Sequence, residues 1–213
     1  MLVQGTLQLP GDKSISHRAI MLSAIADGVS YVRNLNDGAD LQSTINILKD
    51  CGASIQERDN EIVINGKELH SPSNDLDCGN SGTTTRLVAG LLASQKLTFS
   101  LVGDESLSKR PMKRIITPLT AMGCKISSND GLLPLSIDAS KGISAIDYDM
   151  KVASAQVKSS ILFSALGGNN VSSINEIIPT RNHSEIMLKN MGCLLYTSPS
   201  PRDLSTSRMP SSA

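Results

Sequence analysis

Three times this chain passes from a helical apolar pattern, through a glycine, toward a strand-like pattern. The junctions are NILKDCGASIQERDNEIVI around Gly52, PLTAMGCKISSNDGLLPLSI around Gly123 and MLKNMGCLLYTSPSPRD around Gly192. The glycines lie 71 and 69 residues apart. A period of that size is one supersecondary unit used repeatedly, and it constrains both how the fold is built and where ligand contacts recur. After the third glycine the expected strand pattern is missing.

Laid on this period, the apolar positions and breakers predict a β-α-β-α-β-β unit, three times over. Unit one reads as a strand over Thr6–Leu9, a helix over Ser16–Ala26, a strand over Val29–Arg33, a helix over Asp37–Asp50, and paired strands over Ala53–Gln56 and Glu61–Ile64. Unit two follows with Leu76–Cys78, the helix Gly82–Ala93, Leu97–Val102, the helix Met112–Met122, and the pair Lys125–Ser128 and Leu133–Ile137. Unit three begins near Tyr148–Val152 and continues with the helix Ala153–Leu166, the strand Val171–Ile174 and the helix His183–Met191. Residues 194–213 are dominated by Ser, Pro, Thr and Arg and show no period, so they cannot offset ordering entropy by burial. A natural disordered tail is one reading. The other, preferred because the repeat demands a hairpin there, is that the natural frame ends near Cys193 and the rest is foreign or out-of-frame sequence resembling translated cloning or adapter DNA.

Charge is balanced at 20 basic and 20 acidic residues, which argues against a broad nucleic-acid or membrane surface. Aromatic residues make up 2% with no Trp, so base stacking is a poor basis for function. Cys51, Cys78, Cys124 and Cys193 form no C-x-x-C pair, and His17, His70 and His183 complete no metal cluster with them. Buried free thiols of a reducing cytoplasm fit better than a disulfide frame or a zinc site. The start MLVQGTLQLPGDKS lacks the charged and apolar regions of a secretory signal, and no apolar run is long enough to span a membrane.

The first helix of each unit opens on small and hydroxyl residues: GDKSISHRA at Gly11–Ala19, CGNSGTTTR at Cys78–Arg86 and ASAQVKSS at Ala153–Ser160. Helix starts carry unpaired N–H groups and the positive end of the dipole, so they favour an anion. Any one of them alone reads as ordinary N-capping. Three in register, with basic residues attached, predict one polar pocket. Lys13 and Arg18 supply a point charge and a fork around Ser14, the set a phosphate needs. Gly82 allows close backbone approach, although GNSGTTTR lacks the ending of a Walker loop. Lys109, Arg110, Lys113 and Arg114 form a basic cluster. Arg110 is singled out because Arg181 recurs at the matching place before the third repeat glycine.

Together LPGDKSISHRA, GNSGTTTRL, SKRPM and SAQVKSSIL resemble the 5-enolpyruvylshikimate-3-phosphate synthase family, over about Leu7 to Cys193. The resemblance implies an α/β (α+β) enolpyruvyl transferase fold of two domains, each of three β-α-β-α-β-β units about a pseudo-threefold, with one domain present here. It places residues 1–10 with the other domain, 11–193 in the N-terminal domain, and 194–213 outside both. It implies transfer of the enolpyruvyl group of phosphoenolpyruvate to the 5-hydroxyl of shikimate-3-phosphate. That chemistry needs no metal or cofactor, and implies a cytoplasmic location and a monomer at full length. By resemblance, Lys13, Ser14, Arg18, Ser154, Ala155, Gln156 and Arg181 bind shikimate-3-phosphate, and Lys13, Gly82, Arg110 and Gln156 face phosphoenolpyruvate. The acid–base carboxylates lie in the second domain, so this chain alone is expected not to turn over. SAQVKS and RNHSE resemble the bacterial branch that includes some glyphosate-tolerant enzymes, yet Gly82, whose replacement by alanine accompanies tolerance, is still glycine. The alternatives are a UDP-N-acetylglucosamine enolpyruvyl transferase of the same fold, against which KSISHR and SAQVKS argue, and a non-catalytic anion-binding fragment.

Overall fold

The computed structural model describes residues 9–59 and 61–197. Unit one contributes α1 (Lys13–Ile25), β1 (Gly28–Arg33), α2 (Ala39–Asp50), β2 (Ser54–Arg58) and β3 (Glu61–Gly66). Unit two contributes β4 (Leu76–Asp77), α3 (Gly82–Ser94), β5 (Thr98–Val102), α4 (Glu105–Ser108), α5 (Lys113–Ala121), β6 (Lys125–Asn129) and β7 (Leu132–Asp138). Unit three contributes β8 (Asp147–Met150), α6 (Ala155–Ala165), β9 (Ser173–Glu176) and α7 (His183–Asn190). The strand expected over Thr6–Leu9, the segment 1–10 and the tail 194–213 fall largely outside the described residues.

Each unit owns one sheet, ordered β1-β3-β2, β4-β5-β7-β6 and β8-β9. In the second sheet β4 runs parallel to β5, with Leu76 opposite Leu101, and the antiparallel hairpin β6–β7 closes onto β5. The first sheet repeats the antiparallel part and the third repeats the parallel pair. The repeated unit is therefore the one expected, with shifted edges. α1 begins three residues early, at Lys13, because Asp12 caps it: the Asp12 carboxylate accepts the Ile15 N–H at 2.8 Å. Lys13 thus rides on the first helical turn rather than in the preceding loop. α2 begins at Ala39 rather than Asp37, and β9 lies two residues beyond Val171–Ile174. The short helix α4 was not anticipated; Asp104 caps it through the Leu107 N–H at 2.7 Å.

The three repeat glycines end their helices identically. Their φ values are +90°, +101° and +85°, the left-handed region that side chains resist. Gly52, Gly123 and Gly192 donate to the carbonyls of Lys49, Thr120 and Lys189, and the next residues, Ala53, Cys124 and Cys193, donate to Leu48, Leu119 and Leu188. These are three Schellman motifs. Each anchoring leucine is buried, so each turn is also a hydrophobic clamp. The first two clamps launch β2 and β6; residues 194–197 form no strand.

The first helix of each unit forms the centre. α3 buries every residue except Thr83 and Arg86, and it crosses α6 at Gly90. A Cβ on Gly90 would lie 2.1 Å from the Ser160 carbonyl oxygen, and the Ser164 hydroxyl donates to the Gly90 carbonyl at 3.2 Å. The sheets pack outside these helices, and β7 alternates, turning Leu133, Leu135 and Ile137 inward. Each such side chain contributes about 1.5–3 kcal/mol on burial.

Cys51, Cys78 and Cys124 are buried free thiols and Cys193 is half-buried. Burial pushes the first three up to about 12, about 12 and about 11. Ellman titration of the native protein near pH 8 is expected to modify Cys193 rapidly and the others only in denaturant; immediate reaction of all four would contradict this packing.

Candidate functional site

The starts of α1, α3 and α6 meet. Each is capped by a side chain of the preceding residue, Asp12, Ser81 and Ser154, which accept from Ile15, Thr84 and Val157. N-capping and convergence therefore coexist: one N–H is used at each start and the starts still share a cavity of about 430 Å³. Ser14 and Arg18 line it from α1, Thr83 from α3, Ser154, Ala155 and Gln156 from α6, and Thr180, Arg181 and His183 from the entrance of α7. Six of the seven residues expected to hold shikimate-3-phosphate are in this set. A wider depression of about 680 Å³ lies between β1, α2 and the β2–β3 hairpin; it contains none of them and mixes Arg33 and Arg58 with four carboxylates.

Arg18 is 3% exposed. Its Nε donates to Ser184 Oγ at 2.7 Å, Nη2 to Ser159 Oγ at 2.7 Å and Nη1 to the Ser14 carbonyl at 2.8 Å. Those bonds use three of the five guanidinium N–H groups. Burial lowers its pKa from the ordinary arginine value; Glu185 and Asp12 oppose that and Arg181 adds to it. An arginine remains cationic under such pressure.

Gln156 joins this cavity to a second cluster. Its amide nitrogen donates to Thr83 Oγ1 at 3.0 Å, and its Oε1 accepts from Arg86 Nη1 at 3.1 Å. Thr83 and Arg86, the two α3 residues that are not buried, are thus the two whose side chains bond Gln156. Arg86 also donates to the Gly82 and Pro111 carbonyls. Gly82 leaves room for it: a Cβ there would stand 2.6 Å from Arg86 Nη1 and 3.6 Å from Arg110 Nη1. Burial lowers the Arg86 pKa, and Arg110 and Arg114 lower it further, so three cations crowd one spot, and among the described residues no carboxylate is bonded to Arg86. Arg110 is held by the side-chain oxygen of Asn80, by its carbonyl at 3.3 Å and by Ser106 Oγ at 3.2 Å. Asn80 is in turn held by Asp104 at 2.7 Å. The α4 turn therefore orients Arg110, and its Asp-Glu start was the available signal.

Three expected residues do not line the cavity. Lys13 forms an ion pair with Asp40. Gly82 and Arg110 belong to the Arg86 cluster instead. Arg110 and Arg181 occupy matching places before α5 and α7, but only Arg181 reaches the cavity. Thr83, Thr180 and His183 also line the cavity, although no local sequence pattern marks them as contacts. Arg86 was visible as the basic end of GNSGTTTR.

A buried polar chain ties α1, through α2, to the start of α3. His17 Nδ1 bonds Thr44 Oγ1 at 2.7 Å, Thr44 bonds Thr84 at 2.9 Å, and Thr84 donates to Ser81 Oγ at 2.7 Å. His17 is fully buried, and its Nε2 has no partner. Burial pulls its pKa from 6.5 to about 4; Asp40 opposes this, and Lys13 and Arg18 assist it. Because the folded value is the lower one, the unfolded chain binds the extra proton between these limits. Stability is thus full above pH 6.5 and falls on acidification toward pH 4, by on the order of 3 kcal/mol from this residue. Urea midpoints across that range should fall, and His17→Asn should flatten the fall; an unchanged slope would remove His17 as its source.

The fold and site define a pseudo-threefold α/β domain whose central helix starts surround a cationic cavity. The family described as EPSP synthase (3-phosphoshikimate 1-carboxyvinyltransferase) matches residues 2–207. The chain is 48% identical over 193 residues to the 3-phosphoshikimate 1-carboxyvinyltransferase of Ruthia magnifica subsp. Calyptogena magnifica, covering 89% of this chain and 44% of that protein. It is 48% identical over 200 residues to the enzyme of that name from Alkaliphilus metalliredigens (strain QYMF), covering 92% and 47%. The solved EPSP synthase of Acinetobacter baumannii superposes with a TM-score of 0.86 at 42% identity, covering 91% of this chain and 45% of that one. The chain belongs to the EPSP synthase family. It spans about half the length of the curated relatives it matches. Among the described residues no helix is long and apolar enough to cross a membrane.

Proposed function

We propose that this chain forms the shikimate-3-phosphate-binding half of a cytoplasmic 3-phosphoshikimate 1-carboxyvinyltransferase that is monomeric at full length. In the proposed reaction the 5-hydroxyl gives its proton to a base as its oxygen bonds to C2 of phosphoenolpyruvate, whose methylene carbon takes a proton from an acid. The resulting tetrahedral adduct then loses one proton of the new methyl group to a base, together with phosphate, to give the enolpyruvyl ether. Arg18, Arg181, Ser14, Ser154, Ala155 and Gln156 would hold shikimate-3-phosphate. Lys13, released from Asp40, would bridge both substrates, and Arg110, Gln156 and the backbone at Gly82 would hold phosphoenolpyruvate. Cations and helix starts supply the charge stabilisation, so no metal or organic cofactor is invoked. The acid and base belong to a second domain of the same fold, with which residues 1–10 are grouped as a strand, so the chain alone is expected to bind without turning over. Exposed Val171, Ile177 and Ile178 around β9 are apolar surface consistent with a missing partner.

The observation that carries this reading is the gathering of Ser14, Arg18, Ser154–Gln156 and Arg181 around one cavity. Calorimetric titration with shikimate-3-phosphate should give weak binding that declines as ionic strength rises from about 0.05 to 0.5 M. Closure of a second domain would be needed to trap the ligand. No heat with shikimate-3-phosphate, or heat only with UDP-N-acetylglucosamine, would overturn the assignment.

A further inference from the structure

We propose that Ser159, Ser184 and Lys158 are positioning residues that hold the Arg18 guanidinium in place while keeping its charge free for an anionic ligand. The proposal rests on the reading of the cavity as the shikimate-3-phosphate site. Arg18 is a buried cation whose hydrogen-bond partners are all neutral oxygens. An arginine bonded to an internal carboxylate is oriented but largely neutralised, whereas hydroxyls orient it and leave the charge in place. The protons are arranged to allow this. Ser159 donates to the Ala155 carbonyl at 2.7 Å, so Ser184 donates to Ser159, also at 2.7 Å. Both oxygens then turn lone pairs toward Arg18.

Two carboxylates stand close by and are occupied elsewhere. Lys158, 4% exposed, bonds Glu176 Oε2 at 2.8 Å and Glu185 Oε1 at 2.5 Å. Thr180 Oγ1 donates to the other oxygen of Glu176, at 2.5 Å. Glu185 Oε2 is buried and has no partner. A buried lysine needs such pairing, and a carboxylate with a spare buried oxygen needs a cation. The arrangement follows from two adjacent pairs on facing helices. α6 carries Lys158–Ser159 and α7 carries Ser184–Glu185; hydroxyl meets hydroxyl and ammonium meets carboxylate. Glu185 follows Ser184, a partner of Arg18, and its charge already acts on Arg18, so on the proposal loss of Lys158 leaves Glu185 to draw on that guanidinium.

The test is a double-mutant cycle on the whole chain, read by shikimate-3-phosphate titration. Lys158→Met is expected to weaken binding about tenfold although Lys158 lines no part of the cavity, and Lys158→Met with Glu185→Gln is expected to recover to within about threefold. Glu185→Gln alone should bind as tightly as the parent or tighter, which covers the case in which Lys158→Met does not fold. Weaker binding by Glu185→Gln, or no recovery in the double variant, would overturn the proposal, because a merely structural ion pair predicts those results. A ligand-free measurement separates this inference from the cavity assignment. The Arg18 Nε–H resonance should be protected from exchange, lose protection in Ser184→Ala and regain it in Ser184→Thr. Protection with no shikimate-3-phosphate heat in the parent chain would sink the substrate reading alone; no change in Ser184→Ala would sink the hydroxyl support.

Discussion

Arg18→Met removes measurable shikimate-3-phosphate binding, a loss of about 100-fold or more, whereas Arg181→Met costs about tenfold or less. The difference follows from burial. Arg18 is 3% exposed and lies where water screens little, while Arg181 is exposed at the rim. Arg18 is also the residue on which α1, α6 and α7 converge, through Ser14, Ser159 and Ser184. Methionine keeps much of the stem volume and removes the charge. Ser184 and Ser159 still satisfy each other, so the fold should survive, with the urea midpoint confirming it. Titration of the two variants side by side decides the matter. Equal losses would move the weight of the site to its rim, and a large loss only in Arg181→Met would reject Arg18 as the anchor.

How much of this was legible beforehand depended on the range of the interaction. The three helix-ending glycines were visible because a positive φ leaves a residue signature within four positions, and the order of strands and helices followed from local period. The convergence of three helix starts was legible for the same reason: a repeat places equivalent positions around one axis. The family assignment from four ordered motifs was likewise sound. Contacts set by distant residues were not readable. Lys13 reads as a free cation, and only the fold brings Asp40, on the next helix, against it. Gly82 and Arg110 lie beside each other in the structure, but the residue that joins them to Gln156 is Arg86, whose reach across to α6 has no local mark. Lys158 lies inside the quoted SAQVKS motif, yet nothing near it in the chain shows that Glu176 and Glu185 consume its charge. The α4 turn had a signal, Asp104 followed by Glu105, that is too short to stand out against a loop.

Gly90→Ala should destabilise the helix core by about 3 kcal/mol, the upper range for overpacking. Intrinsic preference points the other way, since alanine in a helix interior is favoured over glycine by up to about 1 kcal/mol. Space decides against it. The new Cβ would stand 2.1 Å from the Ser160 carbonyl oxygen and 2.8 Å from Ser160 Cα, and both are backbone atoms of α6 that cannot rotate away. The two helices must therefore separate, which also strains the Ser164 bond to the Gly90 carbonyl. The same crossing sets the height of α3 against α6, and so the meeting of Thr83 and Arg86 with Gln156. Gly90→Ala should consequently lower both the urea midpoint and ligand affinity. Gly168→Ala is the control: its Cβ would find nothing nearer than 3.4 Å, so it should stay within about 0.5 kcal/mol of the parent. A Gly90→Ala protein as stable as the control would mean that α3 and α6 can part without cost, and that the close crossing does not set the geometry of the cavity.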